Sequence, residues 1–267
     1  MSEPAVPSDE MLALAERLAD ASRAVARQHF RTPVAVDDKA DASPVTVADR
    51  ESETAMRRII EETHPEHGII GEEFGRTRAD ADWVWVLDPI DGTKQFISGK
   101  PTFGSLIGLT HRGVPVLGVI EMPALGERWV GARGRPTLFV DPQGQQREAA
   151  TRPCPALERA TFCTTAPELY ESAEEKAGYA ALRERAKLIY YGGDCHNYGL
   201  LSGGFIDVVA DAGMSYYDFV ALVPVVEGAG GRISDWQGRP LREDTGTRVV
   251  AVGDPDLQAQ VLEVLRS

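Results

Sequence analysis

Five consecutive apolar residues, 83–87, run directly into the polar turn Asp88-Pro89-Ile90-Asp91-Gly92-Thr93. Such a run is typical of a buried β-strand, and the two aspartates follow it where the strand would end. Proline fixes the turn, and Gly92 allows the backbone to approach a ligand closely. The amides of Gly92 and Thr93 could open a helix whose positive end receives a phosphate. By itself, an Asp-x-x-Asp pair is also typical of an Asx turn that only connects two elements.

Two further acids occupy positions that suit the same site. Glu72 follows the short apolar run Ile69-Ile70-Gly71, and Asp218 precedes an apolar segment, where the N-cap of a helix belongs. Taken singly, Glu72 would be a solvated surface carboxylate and Asp218 a helix cap. Taken with Asp88 and Asp91, they supply oxygen ligands without histidine or thiolate, a set that selects Mg²⁺ or Mn²⁺ over zinc. Phosphoryl transfer is the natural chemistry of such a site beside a phosphate-binding turn.

Helical periodicity predicts a first helix through Leu14 and Val25, after the possible caps Ser8 and Asp9. A second helix begins near Thr46, and the polar, proline-punctuated residues 31–44 between them predict a mobile loop. From residue 83, short apolar runs separated by turns predict the strands of one sheet. These runs are residues 83–87, 103–109, 114–120, 128–132 and 137–140.

The polar stretch 141–155 is the candidate boundary, which divides the chain into an N-terminal half, 1–145, and a C-terminal half, 146–267. Strands and helices alternate beyond it, which favours an α/β arrangement. The predicted strands are residues 160–164, 188–191, 205–210 and 248–252. The predicted helices are residues 173–185, 196–201, 218–227 and 255–265.

The formal net charge of -13 disfavours binding to nucleic acid or to anionic membranes, since both repel an acidic protein. The first residues contain no basic region followed by an apolar stretch, and no apolar run reaches the length of a membrane span. A cytoplasmic location is therefore predicted. Cys154, Cys163 and Cys195 have no metal-site spacing, and we expect reduced, buried thiols.

In several segments, this chain resembles the inositol monophosphatase superfamily, and within it the histidinol-phosphate phosphatases. The segments that carry the resemblance are Lys39, residues 43–49 (SPVTVAD), Gly71-Glu72-Glu73, residues 88–93 (DPIDGT), Tyr217-Asp218 and residues 227–231 (EGAGG). They cover nearly the whole chain. The resemblance implies an α/β fold, a layered α/β/α/β/α sandwich with its active site between two halves, commonly as a homodimer. It also implies inhibition by Li⁺.

The resemblance further implies roles for individual residues. Glu72, Asp88 and the carbonyl of Ile90 would bind one Mg²⁺, while Asp88, Asp91 and Asp218 would bind a second. Glu72 would also help to hold a third, weaker ion. Thr93 and Asp49 would form a hydrogen-bonded pair that orients the attacking water. Lys39 would be a weaker candidate for contact with the substrate, since a lone loop lysine is usually solvated.

Two acids bear on which small-molecule phosphate ester is the substrate. Asp194 lies in Gly192-Gly193-Asp194, and Asp211 aligns with an acidic substrate-contacting position of the inositol-type relatives. Two carboxylates beside the leaving group favour a cationic substrate over a neutral polyol, which predicts L-histidinol phosphate. Alternatively, Asp194 caps the following helix and Asp211 is a surface acid at a strand end.

Two other functions remain open. The enzyme could hydrolyse inositol 1-phosphate or a broad set of small phosphate monoesters. From a different class, the protein could be a metal-binding regulatory module without turnover, although such decayed relatives normally lose a ligand, and here Glu72, Asp88, Asp91 and Asp218 are all present.

Overall fold

A computed structural model describes residues 3–33, 36–38 and 44–266. Within these ranges, β1 (Val36–Asp38) and β2 (Pro44–Thr46) form a small antiparallel pair, and eight further strands form the large sheet. The strands of the large sheet are β3 (Gly68–Gly71), β4 (Gly75–Thr77), β5 (Trp83–Asp91), β6 (Gly104–His111), β7 (Val114–Met122), β8 (Glu127–Ala132), β9 (Leu138–Val140) and β10 (Gln146–Glu148). Their order is β10-β9-β8-β7-β6-β5-β3-β4. The pair β3 and β5 is parallel, and the other pairs are antiparallel.

In the described C-terminal part, five strands form a second sheet, in the order β12-β11-β13-β15-β14. These strands are β11 (Thr161–Thr164), β12 (Leu188–Tyr191), β13 (Val208–Asp211), β14 (Arg232–Ser234) and β15 (Val249–Val252). The α-helices are α1 (Asp9–His29), α2 (Val47–Thr63), α3 (Thr93–Ile97), α4 (Ala173–Arg185), α5 (Asp194–Ser202), α6 (Tyr216–Phe219), α7 (Leu222–Gly228) and α8 (Gln258–Leu265).

Helices and sheets alternate in five layers. Helices α1 and α2 cover the outer face of the large sheet, where Leu18, Met56 and Trp85 are fully buried in one apolar cluster. Helices α5 and α7 lie between the sheets, and α4 and α8 cover the outer face of the small sheet. Burial of each large side chain contributes about 1.5–3 kcal/mol, so these interfaces stabilise the layers. The predicted α/β/α/β/α sandwich is confirmed.

Strand β6 explains why this part of the sequence shows no polar alternation. All eight of its residues are buried. Successive side chains of a strand point to opposite faces, and here Leu106 joins the cluster between the sheets while Ile107 joins the cluster beneath α1 and α2. A strand covered on both faces is mostly apolar, and the buried polar residues Ser105 and Thr110 donate to the carbonyls of Pro89 and Val84.

A row of three glycines brings the segment after α6 against the large sheet. Gly108, Gly118 and Gly131 are cross-strand neighbours on β6, β7 and β8. A Cβ at Gly118 would lie 1.9 Å from the carbonyl oxygen of Ala221, and the Cβ positions of the other two would also clash with residues 220–225. Because only glycine leaves this space, the chain carrying Asp218 can lie directly on the sheet that carries Asp88.

Most predicted elements are present, with several differences. Ser8 caps α1, and α2 begins next to Thr46, both as expected. Residues 31–44, predicted as a loop, include β1 and the start of β2. The predicted helix 218–227 is two helices, since Pro224 lacks an N–H and fits only the first turn of a new one. Strands β4, β10 and β14 were not predicted.

The large sheet also continues through Glu148, beyond residue 145, while the division into two halves stays a prediction. No helix in the described ranges is both long and apolar enough to cross a bilayer. The three cysteines are free and buried, as expected.

Candidate metal centre and active site

Three predicted ligands converge between the two sheets. Asp88 and Asp91 lie at the end of β5, and Asp218 lies in α6. Oxygen atoms of the three carboxyl groups lie within 4.8 Å of one another. At this spacing, like charges repel strongly unless a cation or a proton separates them.

Asp88 provides the test of whether a cation fits. Its side chain is 2% exposed, and its Oδ1 is buried without a hydrogen-bond partner. Burial, reinforced by the charges of Glu72, Asp91 and Asp218, raises the pKa of Asp88 well above its ordinary value. Buried polar atoms normally have partners, so an unpartnered carboxylate oxygen among other oxygens is suited to a hard cation.

The other two members of the triad are held by helix ends. The Oδ2 of Asp91 accepts a 2.7 Å hydrogen bond from the amide of Cys195, in the first turn of α5. The Oδ2 of Asp218 accepts a 2.7 Å bond from the amide of Ser215. Burial raises the pKa of both carboxyls. Asp218 was predicted as the N-cap of a helix, but Ser215 is the N-cap and Asp218 occupies the N3 position of its capping box.

Glu72 lies outside this triad but contacts it. Its amide donates to the carbonyl of Leu87 at 3.2 Å, which ties the loop after β3 to the end of β5. The charge of Glu72 helps to raise the pKa of Asp88, so the two carboxyl groups lie close together. The Ile90 carbonyl accepts a 3.2 Å hydrogen bond from the Thr93 hydroxyl.

The predicted hydrogen bond between Asp49 and Thr93 is not formed among the described residues. Asp49 occupies the N3 position of the α2 capping box. Its Oδ2 accepts a hydrogen bond from the Thr46 amide at 2.8 Å and another from the Thr46 hydroxyl at 2.6 Å. The capping box therefore makes Thr46 the partner of Asp49, and the Thr93 hydroxyl donates to the Ile90 carbonyl instead. The Oδ1 of Asp49 is buried and unpartnered, and burial raises the pKa of Asp49 to about 6.

The turn after β5 begins a helix, as predicted. Helix α3 starts at Thr93 and has five residues, with Gly92 as its N-cap at a φ of 81°. Such a left-handed conformation favours glycine, and a Cβ there would lie 3.3 Å from Cγ of Asp194. Gly92 thus lets Asp194, at the start of α5, lie close to the turn of residues 88–93.

A cavity of about 170 Å³ adjoins the triad, and its walls include four carboxyl groups. Asp91 and Asp218 face it from the metal centre, and Asp194 and Asp211 face it from the C-terminal part. Burial, with the charges of Asp91 and Asp211, raises the pKa of Asp194 to about 8. Burial also raises the pKa of Asp211 to about 6. Because these carboxylates repel one another, the cavity favours a positively charged ligand.

Neither alternative role of these two acids matches the structure. Gly193, not Asp194, is the N-cap of α5, and Asp194 instead accepts a hydrogen bond from the Gln95 amide. Asp211 is 2% exposed, so it is no surface acid. It accepts hydrogen bonds from the Thr164 hydroxyl, the Thr165 amide and the Tyr198 hydroxyl, at 3.0, 2.7 and 3.0 Å.

Sequence reasoning missed several residues that shape the site. Ser215 and Thr46 could have been found, because Ser-x-x-Asp and Thr-x-x-Asp are capping-box signatures. Gln95 and Tyr198 carried no such signal. Lys39 lies outside the described residues.

A second cluster of metal-binding side chains, His64, Glu66 and His67, does not suit a metal. The Nδ1 of His67 lies 3.2 Å from the Trp85 indole nitrogen, which can only donate. In a neutral ring, the proton of His67 must then be on Nε2. Coordination through Nε2 would move that proton to Nδ1, against the indole N–H. The acidic triad is therefore the better metal site in the described part of the chain.

Buried oxygen donors between two sheet-bearing layers, next to a helix start that suits phosphate, define the class of layered metal-dependent phosphatases. The chain belongs to the inositol monophosphatase family, whose family model matches residues 8–267. It is thus a phosphatase of that family.

Known relatives agree with this assignment. The chain is 47% identical to the bifunctional phosphatase IMPL2, chloroplastic, of Arabidopsis thaliana, over 96% of this chain and 75% of the relative. It is 34% identical to the histidinol-phosphatase of Mycobacterium tuberculosis, over 86% and 88%. Among solved structures, an inositol monophosphatase from Zymomonas mobilis is 47% identical, with a TM-score of 0.87 over 98% of this chain and 100% of that one.

Proposed function

We propose that this phosphatase hydrolyses L-histidinol phosphate to L-histidinol and phosphate, with two or three Mg²⁺ ions as cofactor and Mn²⁺ as a possible substitute. The observation that carries the proposal is the acidic cavity beside the triad. Among its described lining residues, none is lysine or arginine, and four are acids: Asp91, Asp194, Asp211 and Asp218. The leaving group of histidinol phosphate carries an amine and an imidazole, and both can be cations that neutralise these acids.

Asp194 and Asp211 would have different parts in recognising the leaving group. Asp194 is partly exposed, and besides the hydrogen bond from Gln95 its carboxylate can accept one from an ammonium group. Asp211 is held by three internal hydrogen bonds, so it would act through its charge rather than through direct contact. The similarity to the histidinol-phosphatase of Mycobacterium tuberculosis supports this choice of substrate.

Glu72, Asp88, Asp91, Asp218 and the Ile90 carbonyl would hold the ions. When bound, Mg²⁺ would lower the pKa of water and neutralise charge on the phosphate and the leaving oxygen. The start of α3 would bind phosphate oxygens through backbone amides, and Asp49 would accept a proton from the attacking water through its unpartnered Oδ1. Its pKa of about 6 suits proton transfer near neutral pH.

The test is a substrate panel with Mg²⁺: histidinol phosphate, inositol 1-phosphate and fructose 1,6-bisphosphate, each with wild type and Asp194→Asn. We expect wild type to prefer histidinol phosphate, and Asp194→Asn to lose about tenfold or more of that preference, because one buried ion pair is removed. Exposed Asp244→Asn, which removes the same charge elsewhere, should leave it unchanged. Equal kcat/KM for all three esters in wild type would reject the proposal.

A second candidate substrate is inositol 1-phosphate or a broad set of monoesters. The 47% identity to the Zymomonas mobilis inositol monophosphatase supports it. In that case, Asp194→Asn would keep the substrate preference of wild type.

The remote alternative is a metal-binding regulatory module without turnover. Phosphate release that disappears in Asp88→Asn would exclude this alternative, since contaminating phosphatases would not respond to the substitution.

We also propose a homodimer in the cytoplasm. Leu188, Tyr190 and Tyr191 on edge strand β12 are exposed, as is Phe205, and a second copy could cover them. One relative is named chloroplastic, so fractionation of the source cells should test the location. Light scattering on the purified protein tests the dimer, and a monomer at micromolar concentration would reject it.

A further inference from the structure

Glu72 lies on a hairpin loop outside any helix or strand, and its amide ties the start of the loop to Leu87 of β5. The loop consists of residues 72–74, between Gly71 and Gly75, which pair as the last residues of β3 and the first of β4. Short loops of this kind are usually mobile, because their backbone groups bond mainly to water. A metal ligand on such a loop needs another element to fix its position.

A buried carboxylate from α2 supplies that support. Glu53 is fully buried, and its Oε2 accepts a 2.7 Å hydrogen bond from the amide of Glu73. Its Oε1 accepts a 3.2 Å bond from the amide of Phe74. One carboxylate thus binds two successive amides of the loop, immediately after Glu72.

Arg57 completes the attachment from one turn further along α2. Its Nε donates to Oε1 of Glu53 at 2.7 Å, which neutralises the buried charge. Its other nitrogens donate to the Gly75 carbonyl at 2.5 Å and to the Thr77 hydroxyl at 3.2 Å. Glu53 and Arg57 therefore hold the loop and the strand that leaves it.

The residue before Glu72 shows how closely Glu53 approaches. A Cβ at Gly71 would lie 2.0 Å from Oε1 of Glu53, so any larger residue there would force the carboxylate or the loop to move. The same helix carries Asp49, one turn before Glu53. Through Glu53, α2 thus sets the position of the Glu72 loop relative to Asp49.

We propose that Glu53, supported by Arg57, is a positioning residue that fixes the loop of Glu72 and thereby sets the affinity of the site for Mg²⁺. The proposal rests on the proposed metal-dependent function. Glu53 itself touches neither the substrate nor the metal in this proposal. Its removal should therefore weaken metal binding more than it slows the reaction at saturating metal.

The experiment measures Mg²⁺ activation, metal binding and loop protection in wild type, Glu53→Gln and the control Glu51→Gln. Glu51 lies two residues away on α2, and its exposed side chain pairs with His29, so this control removes one charge from the same helix without touching the loop of Glu72. We expect Glu53→Gln to need about tenfold more Mg²⁺ for half-maximal activity, with kcat at saturating Mg²⁺ within about twofold, because one ordering interaction of the ligand is lost. Glu51→Gln should match wild type.

Two readouts do not depend on activity. Mn²⁺ binding followed by electron paramagnetic resonance should weaken by a similar factor in Glu53→Gln. Hydrogen exchange should become faster at the amides of Glu73 and Phe74, which would lose their acceptor. If Glu53→Gln fails to fold, Arg57→Met, which keeps an apolar stem beside Glu53, replaces it and should show a smaller shift in the same direction.

Unchanged Mn²⁺ affinity in a folded variant would overturn the proposal, as would a loss of kcat that excess Mg²⁺ does not reverse. Failure of the underlying function would look different: wild type itself would bind no Mn²⁺ at this site and release no phosphate from any ester. Unchanged exchange at Glu73 and Phe74 would also overturn the proposal, because the loop would then be held without Glu53.

Discussion

Replacing Asp88 by asparagine should stabilise the metal-free protein while abolishing its activity. Asp88→Asn keeps the size of the side chain and removes one charge from a triad whose oxygens lie within 4.8 Å of one another. At an effective dielectric constant of about 20, two charges at this distance repel by about 3.5 kcal/mol, and Asp88 has two such partners. The repulsion could therefore reach about 7 kcal/mol if all three groups were ionised.

Protonation sets an upper limit on this cost, because the folded protein can bind a proton at Asp88 instead of bearing the full repulsion. Holding a proton at pH 7 on a carboxyl whose ordinary pKa is 3.8 costs about 4 kcal/mol, because each pKa unit corresponds to about 1.4 kcal/mol. The folded pKa of Asp88 is raised, so its contribution to stability is full below pH 3.8 and is lost as the pH rises towards the folded value. Asp88→Asn removes the carboxyl that destabilises the folded state at pH 7. The substitution should therefore stabilise the metal-free protein by about 2–4 kcal/mol, which raises Tm by roughly 5–10 °C.

The assay is thermal unfolding at pH 7, in EDTA and in saturating Mg²⁺, with exposed Asp244→Asn as the control. In EDTA, Asp88→Asn should unfold at a higher temperature than wild type, and the control should not. In Mg²⁺, wild type should gain stability by binding the ion, while Asp88→Asn should gain little. A lower Tm for Asp88→Asn in EDTA would refute the reasoning, as would an equal gain of both proteins from Mg²⁺.

Three other outcomes are expected. In EDTA, wild type should lose stability as the pH rises from about 4 to 8, because the folded pKa of Asp194 is raised from 3.8 to about 8. Asp194→Asn should flatten this dependence of stability on pH, and parallel profiles for the two proteins would contradict the expectation. Gly118→Ala should lower the unfolding free energy by about 1–3 kcal/mol and weaken Mg²⁺ activation, since its Cβ would lie 1.9 Å from the Ala221 carbonyl; denaturant titration should detect the loss. Li⁺ at millimolar concentration should inhibit phosphate release, and insensitivity would count against the proposed ion positions.

The convergence of Asp88, Asp91 and Asp218 was predictable from the sequence, whereas the hydrogen-bond partners within the site were only partly so. Asp88 and Asp91 follow a short apolar run rich in valine and tryptophan, which favours a buried strand, so their location at a sheet end was expected from the local pattern. The partner of Asp49 was predicted wrongly, because several acceptors and donors meet at the site and the capping box determines which of them pair.

Glu53 shows why the remaining contacts could not be predicted. A glutamate on a helix is usually solvated, and nothing local distinguishes Glu53 from Glu51 or Glu62. Its burial depends on the hairpin loop that packs against α2, which is a tertiary contact. Similarly, β1 and β2 are three-residue strands whose pairing carries little periodic signal.

Asp49, Glu53 and Arg57 are spaced by four residues and so share one side of α2. Adding or deleting one residue inside this helix would rotate everything after it by about 100° and move Glu53 and Arg57 away from the hairpin, although no side chain had been replaced. Related proteins should therefore keep the spacing Asp-x-x-x-Glu-x-x-x-Arg free of insertions, while residues on the opposite side of the helix vary. Length changes would instead be tolerated at the tip of the turn between β9 and β10, which is exposed and distant from the triad in the sequence.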